Sequence, residues 1–331
     1  MPAAQPSHPA EAPLYNLPVA GDSNGNQYAT ITGTANANWY GYNVQKTGPG
    51  TITYARTGGT VNVYAGASLQ VSNGIVQAGG TVDPFSDNSG NSSNHVAVAV
   101  DHGATLQFTG SATSVSTVGG LAIDAVSGAK VDIGRTTLKI DFSGSDPVSS
   151  IRGYLQSAFT GGSWKGSGLT SSIVEAQVAT AKGTTNGTNS IGYSDGNTDA
   201  TTGGVVPNQM LIAPELTADA NMDGKVDFND LLILAQNNGL ITGDWTHADF
   251  NYDSKVDFND LLLLAQNVNQ TNGTVTLGSG QLPASFEAQW ALAQAEVKAA
   301  GVSNPVPEPG TMSLLAISAA GLLARRRRTA R

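Results

Sequence analysis

Apolar side chains recur at every second position along residues 27–143, and glycines break the runs. Val61 and Val63, Leu69 and Val71, Val96, Val98 and Val100, Leu106 and Phe108, Val131 and Ile133, and Leu138, Ile140 and Phe142 carry this pattern. Successive side chains of a strand point to opposite faces, so the spacing predicts short strands with one buried face. A phrase recurs as Gly66-Ala67-Ser68-Leu69-Gln70-Val71, Gly103-Ala104-Thr105-Leu106-Gln107-Phe108 and Gly128-Ala129-Lys130-Val131-Asp132-Ile133. Its starts are unevenly spaced, which suits stacked coils. The fold expected is mainly β: a right-handed parallel β-solenoid, with a β-sandwich as the alternative. A solenoid would bury Val, Leu and Ile as ladders, expose Thr, Ser, Asn and Gln, and need caps at its ends.

The pattern changes after residue 143. Residues 144–214 read as a connector of helix, loop and strand. Asp146 can cap a helix that begins with Pro147 and carries Val148, Ile151, Leu155 and Phe159 on one face, ending at Gly161-Gly162. Residues 180–204, rich in Gly, Thr, Asn and Asp, predict a loop, and Met210-Leu211-Ile212 a strand. In the spacer 271–304, Pro283 to Ala300 predicts an amphipathic helix with Phe286, Trp290, Ala293 and Val297 as a packing stripe. Residues 1–26 read as a disordered leader. The 27–143 segment resembles the glycine-rich repeats of autotransporter-type surface proteins.

Two twelve-residue stretches, 219–230 and 249–260, repeat one another. Side-chain oxygens fall at loop positions 1, 3, 5, 9 and 12, the ligand spacing of an EF-hand loop. Calcium takes six to eight oxygens, and a loop curling round it offers them from alternating positions. Asp219, Asn221, Asp223, the carbonyl of Lys225, Asp227 and Asp230 form one expected set; Asp249, Asn251, Asp253, Lys255, Asp257 and Asp260 form the other. Position 6 makes a sharp turn and is Gly224 in the first loop but Ser254 in the second. A side chain there costs on the order of 1 kcal/mol, so the second site should bind less tightly. An apolar run follows each loop: Leu231 to Asn237, stopped by Asn238-Gly239, and Leu261 to Asn267.

Over residues 215–270 this combination is similar to the type I dockerin module, a small α-helical double F-hand with Asp at position 12 and Val at position 8. The resemblance implies two calcium ions. It also implies docking to a cohesin-like module through loop positions 10 and 11, here Phe228, Asn229, Phe258 and Asn259. On the residues alone, the alternative is a calcium-stiffened spacer with no partner.

The chain closes on Pro307-Glu308-Pro309, an uncharged stretch from Thr311 to Ala324, and Arg325, Arg326, Arg327 and Arg328. The stretch is short for a full membrane span, which needs about 20 residues. An arginine cluster behind it would stay on the cytoplasmic side. Residues 305–331 resemble a PEP-CTERM sorting signal. That resemblance implies a C-terminal hydrophobic helix held transiently in the membrane, processing by an exosortase, and delivery to the cell envelope, outer surface or extracellular matrix. The alternative is an ordinary tail anchor. Met1 to Ala20 has no Lys or Arg and no apolar core, so it does not read as a secretory signal. An exported protein should have one, and the simplest expectation is that the true start lies upstream.

Composition agrees with export. There is no Cys, which excludes a disulfide scaffold and thiol catalysis. The net charge of −9 disfavours nucleic acid as a partner, and removal of the arginine-bearing tail would make the chain more acidic. No nucleophile elbow, phosphate loop or zinc spacing occurs. His95 with Asp101-His102 is the one compact acid–imidazole group, and it suits the wet face of a coil. Trp39, Tyr40, Tyr42, Tyr54 and Tyr64 gather the aromatics that could hold a sugar. The sequence therefore reads as an exported, non-catalytic calcium-binding scaffold, adhesin or assembly module. The alternative is a polysaccharide-degrading hydrolase or lyase, or a component of such a complex, with polysaccharide as partner; dockerins usually travel with such enzymes.

Overall fold

The computed structural model describes residues 20–21, 27–33, 37–39, 43–89, 93–180, 189–199 and 202–268, with helical residues 288, 290–293 and 295. The β body winds as stacked coils. β1 (Ala20–Gly21) pairs antiparallel with β2 (Gln27–Gly33), which opens the first coil with β3 (Ala37–Trp39) and β4 (Asn43–Lys46). β5 (Thr51–Arg56), β6 (Val61–Val63) and β7 (Ser68–Val71) make the second, and β8 (Ile75–Gly80) and β9 (Ala97–Val100) the third. β10 (Thr105–Phe108), β11 (Val115–Val118) and β12 (Gly120–Ile123) make the fourth, and β13 (Lys130–Asp132) and β14 (Thr137–Asp141) the fifth.

Equivalent strands of successive coils pair in parallel. One sheet runs through β2, β5, β8, β10 and β13; a second runs through β4, β7, β9 and β12. This is a solenoid-like arrangement. A sandwich would instead be built from antiparallel strands.

Parallel register stacks like on like. Ile52, Val76, Leu106 and Val131 stand in one buried column of the first sheet. Outside it, Thr53 donates to Gln77 Oε1 (3.2 Å), Gln77 Nε2 to Gln107 Oε1 (2.8 Å), and Gln107 Nε2 to Asp132 Oδ2 (3.1 Å). Each fully buried aliphatic contributes about 1.5–3 kcal/mol, against a net of about 0.5–1.5 kcal/mol for each hydrogen bond. The inner column therefore drives the stacking, and the outer ladder holds register, because a one-residue slip would exchange the two faces.

The recurring phrase marks corners rather than coils. Gly66 leads into β7 on the second sheet, whereas Gly103 and Gly128 lead into β10 and β13 on the first. All three glycines have positive φ (84°, 76° and 86°), and Ala67, Ala104 and Ala129 behind them are buried. The phrase therefore encodes a left-handed turn and a small inward residue, wherever the chain needs one.

The end of the stack is covered. α1 (Val148–Phe159) begins where Asp146 accepts the Val148 amide at 2.9 Å. Gly161 and Gly162, both at positive φ, follow its end. β15 (Gly168–Thr170) adds to β13 in parallel, setting Leu169 beside Val131, and α2 (Ser172–Thr180) follows. β16 (Asn189–Asp195) and β17 (Gln209–Leu216) form an antiparallel pair that extends the β11–β14 sheet.

β16 overturns the expectation of loop throughout 180–204. Its seven residues all pair with β17, and Ser190, Ser194 and Asp195 are buried with hydrogen-bond partners. A strand satisfied this way can be polar on its inner side, so it lacks the alternation that betrays an ordinary strand.

β17 runs into the first duplicated loop. α3 (Phe228–Asn237) and α4 (Phe258–Asn267) follow the loops and contact each other, and each buries two leucines in the core, Leu231 and Leu234 or Leu261 and Leu264. One hydrophobic core runs from the coils to these helices. Residues 290–293 are helical, with Trp290 and Ala293 buried as their stripe predicts; Phe286 and Val297 lie outside the described residues.

Candidate metal centre in the duplicated loops

Each loop closes on the N-terminus of a helix. The Asp227 side chain accepts the Asn229 amide at 2.8 Å, and Asp230 Oδ2 accepts the Asp227 amide at 2.8 Å, a reciprocal capping box. Asp257 and Asp260 repeat it at 2.8 and 2.9 Å. This second role of the Asp-x-x-Asp spacing is legible in the sequence but hidden behind its ligand pattern. It starts the helices at Phe228 and Phe258, inside the loops.

The rest of each loop is a set of carboxylates folded onto backbone amides. Asp219 accepts from Asp223 (3.1 Å) and Gly224 (2.8 Å), Asn221 Oδ1 from Asp223 (3.0 Å), and Asp223 from Lys225 (3.0 Å). Asp230 Oδ1 reaches back to the Ala220 amide at 2.9 Å. In the second loop Asp249 accepts from Asp253 (3.1 Å) and Ser254 (2.8 Å), and Asn251 from Asp253 (2.8 Å). Asp253 accepts from Lys255 (2.9 Å), and Asp260 Oδ1 from Phe250 (2.9 Å). These bonds recur in both loops; the first adds the Asn221 amide on Asp230 Oδ1 (3.4 Å) and Asn221 Nδ2 on Asp223 Oδ2 (3.3 Å).

Backbone conformation matches too. Position 6 has positive φ in both loops, 83° at Gly224 and 73° at Ser254, so the serine carries the strain that glycine avoids. The residue before each loop, Ala218 or Ala248, and position 4, Met222 or Tyr252, are also left-handed.

Asp219, Asp230, Asp249 and Asp260 are fully buried. Burial pushes Asp219 up to about 6 and the other three up to about 7, although loop amides pull the other way. Negative neighbours add to the rise: Asp219 acts on Asp230, and Asp260 on Asp249. Among the described residues the ion pairs are His95–Asp141 and His247–Asp244, so no basic side chain neutralises these acids. Each carboxylate oxygen that accepts one amide keeps a lone pair. Lys225 and Lys255 are exposed and leave only their carbonyls for the loops. These donors are hard oxygens short of positive charge, the type a divalent cation such as calcium takes, but among the described residues no three of the loop acids bring one oxygen each within 4.8 Å of one another. Phe228 and Phe258 are half-buried against the core, and Asn229 and Asn259 are exposed beside them.

A further group went unnoticed in the sequence. Asp199, Asp244 and His247 each place one ligand-type atom within 4.8 Å of the others. Asp244 caps the turn Trp245–His247 and meets His247 Nδ1 at 2.7 Å. Asp199 lies far from both in sequence, and no local signal joins them.

Other candidates disperse. His95 pairs with Asp141 at 3.2 Å, while Asp101 accepts from Gln70 at 2.7 Å on the outer ladder of the second sheet. Trp39 packs edge-on against Tyr54 (5.9 Å) and donates to the Pro84 carbonyl, so these two aromatics serve packing. Tyr64 is exposed, and Tyr40 and Tyr42 lie outside the described residues. No helix among the described residues is long and apolar enough to cross a membrane. Pro307, Glu308, Pro309 and Arg325 to Arg328 lie outside them as well.

The family described as the PEP-CTERM protein-sorting motif matches residues 305–328. No curated protein and no solved structure matches the chain. The motif indicates an exported, envelope-associated protein whose tail associates with the membrane and is processed by an exosortase.

Proposed function

We propose that this protein is an envelope-surface scaffold: a β-solenoid that presents its outer faces, stiffened at one end by two calcium ions in the loops 219–230 and 249–260, and sorted by its tail. The observation that carries this reading is the pair of matched loops, each burying two carboxylates that no basic side chain neutralises. Burying an ion without a counter-charge costs several kcal/mol, and a bound cation removes that cost. The second sheet offers a presenting surface: Ser68, Gln70, Ala97, Ala99, Gly120 and Ala122 line a shallow groove with little charge. An adhesive role on polysaccharide, or docking of a cohesin-like module on the exposed Asn229 and Asn259, would build on this frame.

Calorimetric titration of the full chain should give two calcium ions, and calcium at about a hundred times its Kd should add roughly 2.7 kcal/mol per site. Identical melting in calcium and in chelator, with a flat titration, would end this reading.

A further inference from the structure

Tyr252 stands at position 4 of the second loop, between Asn251 and Asp253. Asn251 and Asp253 on either side accept the Asp253 and Lys255 amides within the loop, while Tyr252, with φ at 63°, reaches into the β body. It is fully buried. Its hydroxyl donates to the Ile191 carbonyl (2.8 Å), accepts the Ile191 amide (3.3 Å) and meets Ser190 Oγ (3.2 Å), all on β16.

The ring is the hub of an aromatic cluster drawn from the elements that close the solenoid. Phe159 of α1 lies at 5.3 Å, Trp164 at 5.6 Å, Trp245 at 6.0 Å and Tyr193 of β16 at 6.5 Å. Trp245 in turn donates from Nε1 to the Asp219 carbonyl of the first loop at 2.8 Å, and Arg152 of α1 donates to Gly243 between the loops at 3.0 Å. Met222, at the same position of the first loop, packs on Val205, Leu211 and Ala213 as well as on the main core and has no hydroxyl to offer.

We infer that Tyr252 is a positioning residue that makes filling of the second loop and closure of the solenoid's C-terminal end one event. This rests on the reading of the loops as cation sites. A cation that draws in Asn251 and Asp253 fixes the residue between them, and that residue holds β16, α1 and the turn carrying Trp164. Coupling runs both ways, so an ordered β16 also raises affinity at the second loop.

The test is calcium titration of the full chain together with amide hydrogen exchange in calcium and in chelator. Calcium should slow exchange across residues 189–195 by about tenfold, within the usual range of coupling between sites. Tyr252→Phe should still take two ions, with that slowing reduced to less than about twofold and second-site affinity weakened by a similar factor. Two bound ions with no calcium response at 189–195 in the unaltered protein would overturn the inference. If Tyr252→Phe fails to fold, Asp253→Asn with Asp260→Asn removes the second ion and leaves the tyrosine; a calcium response at 189–195 that survives this change would also overturn it. A flat titration of the unaltered protein would defeat the cation reading itself, and the coupling with it.

Discussion

Leu106 and Gln107 are adjacent on β10, one in the buried column and one in the outer ladder, and truncating each to alanine tests the architecture directly. Leu106 is fully buried between Val76 and Val131, its neighbours in register. Leu→Ala in such a site costs about 2–5 kcal/mol, and more where the walls cannot collapse. Here the walls are strands locked by parallel ladders on both sides, so roughly 3–4 kcal/mol is expected. At about 2–4 °C per kcal/mol, Tm should fall by roughly 6–16 °C. Gln107→Ala removes the bonds to Gln77 and Asp132, but the half-exposed site lets water replace them. Its expected cost is about 1 kcal/mol. Far-UV circular dichroism during heating, at fixed calcium, reads both. A larger loss for Gln107→Ala than for Leu106→Ala would refute the register, since a strand slipped by one residue swaps these roles.

Two further outcomes follow from the loops and the tail. In chelator, Asp219, Asp230, Asp249 and Asp260 carry folded pKa values of about 6 to 7, above the unfolded value. Their contribution to stability is full below the unfolded pKa of about 4 and disappears as pH rises through 6 to 7. Tm in chelator should therefore drop between pH 5 and pH 8, whereas in calcium it should hold; a chelated protein indifferent to pH would contradict the burial of these acids. Deleting residues 305–331 should release the protein from the envelope fraction, and unchanged fractionation would remove the sorting role.

Sequence alone exposed what repeats locally. Period two and the glycines between the runs disclosed the coils, because each short strand buries one face and the structure puts those glycines at left-handed corners. The duplicated loops were equally legible, since all their expected donors lie within twelve positions. β16 was not, because its polar side chains are satisfied inside the protein. Nor was Tyr252, whose hydroxyl partners on β16 are 61 and 62 positions away. Asp199 with Asp244 and His247 escaped for the same reason: tertiary packing creates the group. The recurring phrase was visible, and its uneven spacing follows from one local solution serving corners on different faces.

The loop acids have two candidate roles, and their magnitudes differ. As helix caps, Asp227 with Asp230 and Asp257 with Asp260 would each contribute about 1 kcal/mol, and caps normally sit in water. Asp230 and Asp260 are fully buried, as are Asp219 and Asp249, which cap nothing. Capping therefore does not offset their burial, and it does not involve positions 1, 3 and 5, whose side chains accept amides inside the loops. The double change Asp230→Asn and Asp260→Asn separates the roles, because Asn keeps the acceptor oxygen but loses the charge. If the acids only cap, Tm should move by the same small amount in calcium and in chelator. If they hold a cation, the variant should match or exceed the parent in chelator at pH 8, where it no longer buries those charges. In calcium it should then lose most of the parent's ion-dependent gain, about 2.7 kcal/mol per site at a hundredfold excess over Kd. Equal shifts in both conditions would leave the loops as caps and take the scaffold's calcium away.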